Sequence, residues 1–364
     1  MTAMAKTPIK LDITINPVKI QENNCCEEVL SVLKSVRPIW FDNEEAKSLK
    51  SKVFTGGISN QLYGYYQDGH FKDDVVLMRI YGSGTELMID RDLEKQNIQI
   101  LSAAGKSQPL YAAFNNGLAY GFAQGVTLDE NTVRDERIRK LIAEEMIEVH
   151  AVRPEGREVK TGLWEKIYKF LELSPEGFND PERNKQYLAK IKPKDVLRKE
   201  LDELRVHLEA LNSPVVFCHN DLLLKNIIYN EEKGCVYFID HEYAMYNYEH
   251  FELGNHFCEY AGVDDLDFAR YPDKEYQMEW LRYYLQQCAK HRKENPDTVS
   301  ERDVEICYVK ANKFALVAHM FWGLWGLVQA KHSAIDFGFL EYAQQKLDEY
   351  FARRDEFLAL KLPS

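Results

Sequence analysis

Two hydrophobic periods divide the chain, and they change over near residue 127. Before that point, runs of strand character recur at Lys52 to Phe54, Gln61 to Gln67, Val75 to Tyr81, Leu110 to Phe114 and Leu118 to Gln124. Turn signals bound them at Gly56-Gly57, Asp68-Gly69 and Asn115-Asn116-Gly117, the last a hairpin signature. A helical stretch at Cys25 to Val36 precedes them, and one helix near Asp90 to Ala104 interrupts them. Beyond residue 127 the period is helical. Ile138, Leu141, Ile142 and Ile147 share one face, and Leu197, Leu201, Leu204, Leu208 and Leu211 form a 4-3-4-3 stripe. Further helices are expected at about 161–173, 273–291, 301–330 and 339–357. The pattern predicts an α+β chain: a β-rich lobe over residues 1–126, with a helical or irregular extension in 1–50, and a mostly α-helical lobe over 127–364. A cleft between two such lobes is the default position for a ligand.

Composition narrows the classes. With 45% hydrophobic and 12% aromatic residues in 364, the chain can build a large core. Its 46 basic and 58 acidic residues give a formal charge of -12, the wrong sign for gripping nucleic acid or anionic lipid. Lys6, Pro8 and Lys10 interrupt the first fifteen residues, so no secretion signal is expected. The most apolar stretch, Phe314 to Val328, is broken by His319 and falls short of the ~20 residues a membrane helix needs, which predicts a buried helix and no membrane insertion. Seven cysteines without a CxxC pair fit neither a disulfide framework nor a zinc site, so reduced thiols in the cytoplasm are expected.

The strongest chemical signal is Val216-Phe217-Cys218-His219-Asn220-Asp221-Leu222-Leu223-Leu224-Lys225-Asn226-Ile227-Ile228. Asp221 and Asn226 stand five positions apart, the spacing H-x-D-x-x-x-x-N of phosphoryl-transfer loops. Downstream, Ile227 to Tyr229 and Val236 to Ile239 flank the turn Asn230-Glu231-Glu232-Lys233-Gly234, so a hairpin should bring Asn226 and Asp240 together at its open ends. An amide oxygen beside a carboxylate suits Mg²⁺ bridging ATP phosphates, and Asp221 could then take the proton of an acceptor hydroxyl. The plainer alternative makes His219 and Asp221 loop residues that bond nearby backbone amides.

Arg79 lies mid-strand in Val75 to Tyr81, where a cation needs a partner, and Glu94 on the following helix is a candidate. A strand cation held by a helix carboxylate is how kinase-like folds position the α and β phosphates. The alternative is an edge strand with Arg79 in solvent. Gly56-Gly57-Ile58-Ser59-Asn60 lies between strands where a loop could touch phosphate oxygens through Gly57, Ser59 and Asn60, although two glycines there can simply make a turn.

With these residues in view, the chain resembles the choline/ethanolamine kinases, which have a protein-kinase-like fold, from about Phe54 to the C-terminus. The likeness is most specific at His219 to Tyr229, at Phe238 to Tyr248 with Gly254 to Glu259, and at Phe321-Trp322-Gly323-Leu324-Trp325 leading to Tyr342-Ala343-Gln344. It implies Asp221 as catalytic base, Asn226 and Asp240 as Mg²⁺ ligands, and Arg79 with Glu94 as the ATP-positioning pair. It also implies an acceptor pocket of Tyr243, Glu259, Trp322, Trp325 and Tyr342, and a homodimer is a common state in the family. Leu222-Leu223 is similar to the ethanolamine-directed form of the motif, whereas Glu252 and Gly121 depart from the residues relatives often carry there.

Choice of acceptor rests on the nitrogen. A primary ammonium brings three N–H donors, whereas a trimethylammonium brings none and is satisfied by aromatic faces. Glu259 and Asp221 suit the first; Trp322, Trp325 and Tyr342 suit the second, although tryptophans at i and i+3 also simply pack cores. The resemblance therefore implies ATP-dependent phosphorylation of the ethanolamine hydroxyl as the first step towards phosphatidylethanolamine, with choline or dual use as the alternative. A kinase-fold protein that binds an amine without catalysis is the lower alternative.

Overall fold

The computed structural model describes residues 7–17, 25–42, 49–54, 60–71, 74–82, 87–333 and 335–363, with the side chain of Asn60 excepted. It divides into two compact units, Met1–Gly125 and Val126–Ser364.

The N-terminal unit runs β1 (Ile9–Leu11), α1 (Glu27–Val36), β2 (Leu49–Phe54), β3 (Asn60–Gln67), β4 (Val75–Tyr81), α2 (Arg91–Ala103), β5 (Leu110–Phe114) and β6 (Gly117–Gly121). These strands form one sheet in the order β1-β5-β6-β4-β3-β2, antiparallel except for the β1–β5 pair. Because side chains alternate across a strand, Val76, Met78 and Ile80 share one face, where Val29, Val32 and Leu33 of α1 join the same core. On the other face Leu118 and Leu110 pack with Ile98 of α2. Asp90 caps α2, its side chain accepting the N–H groups of Asp92 and Leu93 at 3.0 Å.

The C-terminal unit contains β7 (Val126–Thr127), α3 (Glu136–His150), α4 (Leu163–Leu173), α5 (Pro181–Lys190), α6 (Lys194–Glu209) and β8 (Val215–Cys218). It continues through β9 (Ile227–Asn230), β10 (Cys235–Phe238), β11 (Met245–Tyr248), α7 (Glu249–Cys258), α8 (Lys274–His291), α9 (Glu301–His332) and α10 (Phe339–Ala359). Ser300 and Asp303 start α9 with a reciprocal capping box. Every residue from Phe314 to Ala330 is buried, so α9 is a core helix and not a one-faced surface helix. Among the described residues, no helix is long and apolar enough to cross a membrane. Close backbone approach fixes its neighbours. A Cβ on Gly254 of α7 would lie 2.4 Å from the Ala311 carbonyl oxygen, and one on Gly326 would lie 3.0 Å from the Ala343 Cβ of α10.

His250 and His256 are buried on α7. Burial lowers each to about 4, from an ordinary 6.5; Glu249 opposes the shift at His250, while Lys310 and His150 add to it. Both rings therefore bind a proton less well in the folded chain than in the unfolded one. Their contribution to stability is complete above about pH 6.5 and is lost as pH falls through about 4. Urea unfolding at pH 5 should give a stability lower than at pH 7 by about 2 kcal/mol per histidine. Asp221, whose raised pKa acts in the opposite direction, is taken out of the comparison by using Asp221→Asn, and a flat profile in that variant would contradict the neutral-histidine core.

Candidate active site

Strands β8 and β11 pair antiparallel, with Met245 opposite Cys218, and the chain leaves β8 directly into His219-Asn220-Asp221. His219 Nδ1 accepts the Asp221 N–H at 3.3 Å and Nε2 lies 2.8 Å from the Ile239 carbonyl oxygen. Those partners assign the proton to Nε2, and burial lowers the ring's pKa. Asn220 has φ +68°, a left-handed conformation that its own side chain holds in place. Asn220 Nδ2 donates to the Cys218 carbonyl at 3.2 Å and the Tyr243 carbonyl at 3.0 Å, and its Oδ1 accepts from Asn247 Nδ2 at 2.7 Å.

Beneath this loop lies Glu252 of α7, 1% exposed. Its Oε1 accepts the Asn220 N–H at 2.6 Å, and its Oε2 accepts the His219 N–H at 2.8 Å and His150 Nε2 at 3.1 Å. Burial opposes ionisation of Glu252, but the bonds from His150 and the loop outweigh it and hold the pKa below the usual carboxylate value. His150 Nδ1 is in turn 2.9 Å from the Tyr284 hydroxyl.

Hairpin β9–β10 pairs Phe238 with Ile227, and the next rung is the Ile239 N–H donating to the Asn226 carbonyl at 2.9 Å. Asp240 follows at once with φ +63°, so the hairpin brings Asn226 and Asp240 to the same end. Asn226 Nδ2 donates to the Asp221 carbonyl at 2.9 Å and to Asp221 Oδ2 at 3.2 Å. That geometry commits the nitrogen and makes the Asn226 amide oxygen the atom that could hold a metal. An amide oxygen and a half-buried carboxylate form the hard-oxygen donor set that Mg²⁺ requires, so the residues fit the ion. Burial first, then the carboxylates of Asp240, Glu259 and Glu242, push the Asp221 pKa well up, while Asn226 works in the opposite direction.

The four aromatic residues singled out from the sequence make one continuous set of ring contacts, and all are buried. Tyr243 and Trp322 have centroids 5.4 Å apart, Trp322 and Trp325 5.6 Å, and Trp325 and Tyr342 6.0 Å. The polar ends of three of them are bonded: Trp325 Nε1 donates to the Tyr243 hydroxyl at 2.7 Å, and Trp322 Nε1 donates to Asn255 Oδ1 at 2.8 Å. Asn255 Nδ2 also lies 3.4 Å from the Asn220 carbonyl, linking the tryptophans to the loop. Glu259, just past α7, is 4% exposed, and its Oε1 accepts from Lys346 Nζ at 3.2 Å.

In the N-terminal unit, Arg79 sits on the interior strand β4, 5% exposed, so the edge-strand alternative fails. Its guanidinium donates to Glu94 Oε1, and Arg91 donates to Glu94 Oε2 at 3.0 Å. Gly57 and Ser59 lie outside the described residues, and Asn60 is described only as the first residue of β3. Sequence reasoning missed Glu252 as the loop's anchor and also missed His150, Asn255 and Lys346. Nothing local marks them, since each acts on a partner far away in the chain.

A family model for choline/ethanolamine kinase matches residues 52–351. Human ethanolamine kinase 1 is 45% identical over 355 residues, 97% of this chain and 77% of that protein. Mouse ethanolamine kinase 1 is 44% identical over 355 residues, 97% of this chain and 96% of that protein. Among solved structures, a Plasmodium vivax ethanolamine kinase aligns with TM-score 0.75 at 27% identity, covering 88% of this chain and 87% of that one. A Cryptosporidium parvum choline kinase aligns with TM-score 0.73 at 23% identity, covering 91% and 95%, and shows the likeness of fold.

The β-rich N-terminal and helical C-terminal units are those of a protein-kinase-like phosphotransferase fold. Within that class the chain belongs to the choline/ethanolamine kinase family, whose members are small-molecule kinases using ATP.

Proposed function

We propose that this protein transfers the γ-phosphoryl group of ATP to the hydroxyl of ethanolamine, giving phosphoethanolamine and ADP. The observation that carries the reading is the buried Asp221 carboxylate, bonded to Asn226 Nδ2 at 3.2 Å in a chain 45% identical to an ethanolamine kinase. Asp221 accepts the hydroxyl proton as the oxygen attacks, a role served by the raised proton affinity that burial and three neighbouring carboxylates confer. Asn226 and Asp240 would hold Mg²⁺, which would supply neutralisation of the charge on the phosphates. Arg79, oriented by Glu94, is the cation offered to the nucleotide phosphates, and Gly57, Ser59 and Asn60 are the loop residues offered to the same oxygens. Glu259 and the rings of Tyr243, Trp322, Trp325 and Tyr342 receive the ammonium. A cytosolic setting suits its seven free cysteines.

Dual use of choline is the second reading, favoured by that run of four rings. A coupled ADP-release assay with Mg²⁺ and ATP separates the two. Ethanolamine should exceed choline in kcat/KM by about tenfold or more, about 1.4 kcal/mol at the transition state. A preference for choline would favour the aromatic rings as the selecting feature, and no turnover with either amine would overturn the activity.

A further inference from the structure

Lys346 follows Tyr342 by one turn of α10, and no part of its side chain is exposed. Its Nζ donates to Glu259 Oε1 at 3.2 Å and stands 5.5 Å from the Tyr342 ring centroid. Burial opposes the charge, but Glu259 and Tyr342 more than offset it and hold the ammonium's pKa above the ordinary lysine value. Among the described residues, Lys346 is the only donor hydrogen-bonded to the Glu259 carboxylate. A primary ammonium belonging to the protein thus already occupies the carboxylate, and lies against one of the rings, assigned above to the substrate's nitrogen. No step of the proposed reaction uses it.

We infer that Lys346 is a specificity-determining residue: by keeping Glu259 paired whichever amine is bound, it lets the aromatic pocket accept a quaternary ammonium and so sets the ratio of choline to ethanolamine use. This rests on the reading of the pocket given under Proposed function. The reasoning is a count of donors. A buried carboxylate without a donor is costly, and ethanolamine brings three N–H groups where choline brings none. With Lys346 present, neither amine leaves Glu259 stranded, and discrimination comes from the carboxylate's remaining capacity alone. Without Lys346, only the primary amine meets the need, and choline leaves the carboxylate unpaired. The aromatic faces serve both amines alike.

The test compares kcat/KM for ethanolamine and choline in the wild type, Lys346→Met and Lys346→Arg, with choline measured as a competitor of ethanolamine where its turnover is too slow. Lys346→Met should lower the choline-to-ethanolamine ratio by about tenfold, whereas Lys346→Arg should stay within about twofold of the wild type. A merely structural lysine would depress both amines equally, so an unchanged ratio, or one moving towards choline, overturns the inference. Should Lys346→Met fail to fold because Glu259 is left uncompensated, Lys346→Gln carries the test. Its neutral amide replaces the ammonium's charge-assisted bond by a weaker one and so pairs Glu259 only in part, and its ratio should fall severalfold; an unchanged ratio again overturns the inference. A wild type that phosphorylates neither amine overturns the parent reading and this one together. An active wild type with an unmoved variant ratio overturns this one alone.

Discussion

Replacing Asp221 by asparagine should lower kcat by about 10²- to 10⁴-fold while leaving the melting temperature unchanged or slightly raised. The two halves of that expectation come from the same observation. Asp221 is buried and repelled by Asp240, Glu259 and Glu242, so its charge burdens the fold and removing it should not unfold the chain. An asparagine carbonyl oxygen can still accept from Asn226 Nδ2, which preserves the loop. What asparagine lacks is a site for the proton of an attacking hydroxyl. Steady-state kinetics with thermal melting on the same sample check both halves. Near-normal turnover would remove the base role from Asp221, and a melting point lowered by many degrees would mean that the carboxylate holds structure.

Glu252→Gln reverses that pattern, with loss of stability first and of rate as a consequence. The wild-type carboxylate accepts from two backbone N–H groups and from His150, and among the described residues no other acceptor is bonded to those two amides. A glutamine turns an –NH₂ towards at least one of these donors, leaving buried groups facing each other without a bond. Such an unmet set costs about 2–4 kcal/mol. Chemical denaturation should show a loss of that size, and kcat should fall more than KM rises, because Asn220 and Asp221 leave their positions. A variant within about 0.5 kcal/mol of wild type would show that the loop holds its strained Asn220 conformation by other means.

Much of this architecture is legible before any coordinates. Strands β3 to β6 and helices α1, α2 and α8 to α10 fall where the sequence puts them, most because one face lies in a core and the other outside it, and β4 and α9 because an unbroken apolar run marks them. The missed elements lack that contrast. Strand β1 is three residues long and exists through its pairing with β5, some hundred positions away. Helix α7 is buried from His250 to Cys258, so no polar face announces a helix, whereas α5 buries only Tyr187 and offers no apolar stripe. The candidate site divides the same way. Asp221, Asn226 and Asp240 are readable because the loop spacing and the hairpin are local, and the Arg79–Glu94 pair because a mid-strand cation demands a carboxylate. Glu252, His150 and Lys346 are ordinary residues in the sequence, and only tertiary packing sets each against its partner.

Helix α9 leaves one consequence for how the family can diversify. Trp322 and Trp325 belong to an unbroken buried run from Phe314 to Ala330, so a substitution there that reshapes the proposed amine pocket also disturbs the centre of the fold. Helix α10 interleaves buried positions such as Tyr342 and Lys346 with exposed ones such as Glu341 and Gln345, so a change at one of its positions need not displace the next. Under selection for a new amine, accepted mutations should gather on α10 and around Glu259 and leave α9 nearly untouched. Acceptor preference would then drift through paired changes at Lys346 and Glu259, since either change alone leaves a buried charge uncompensated.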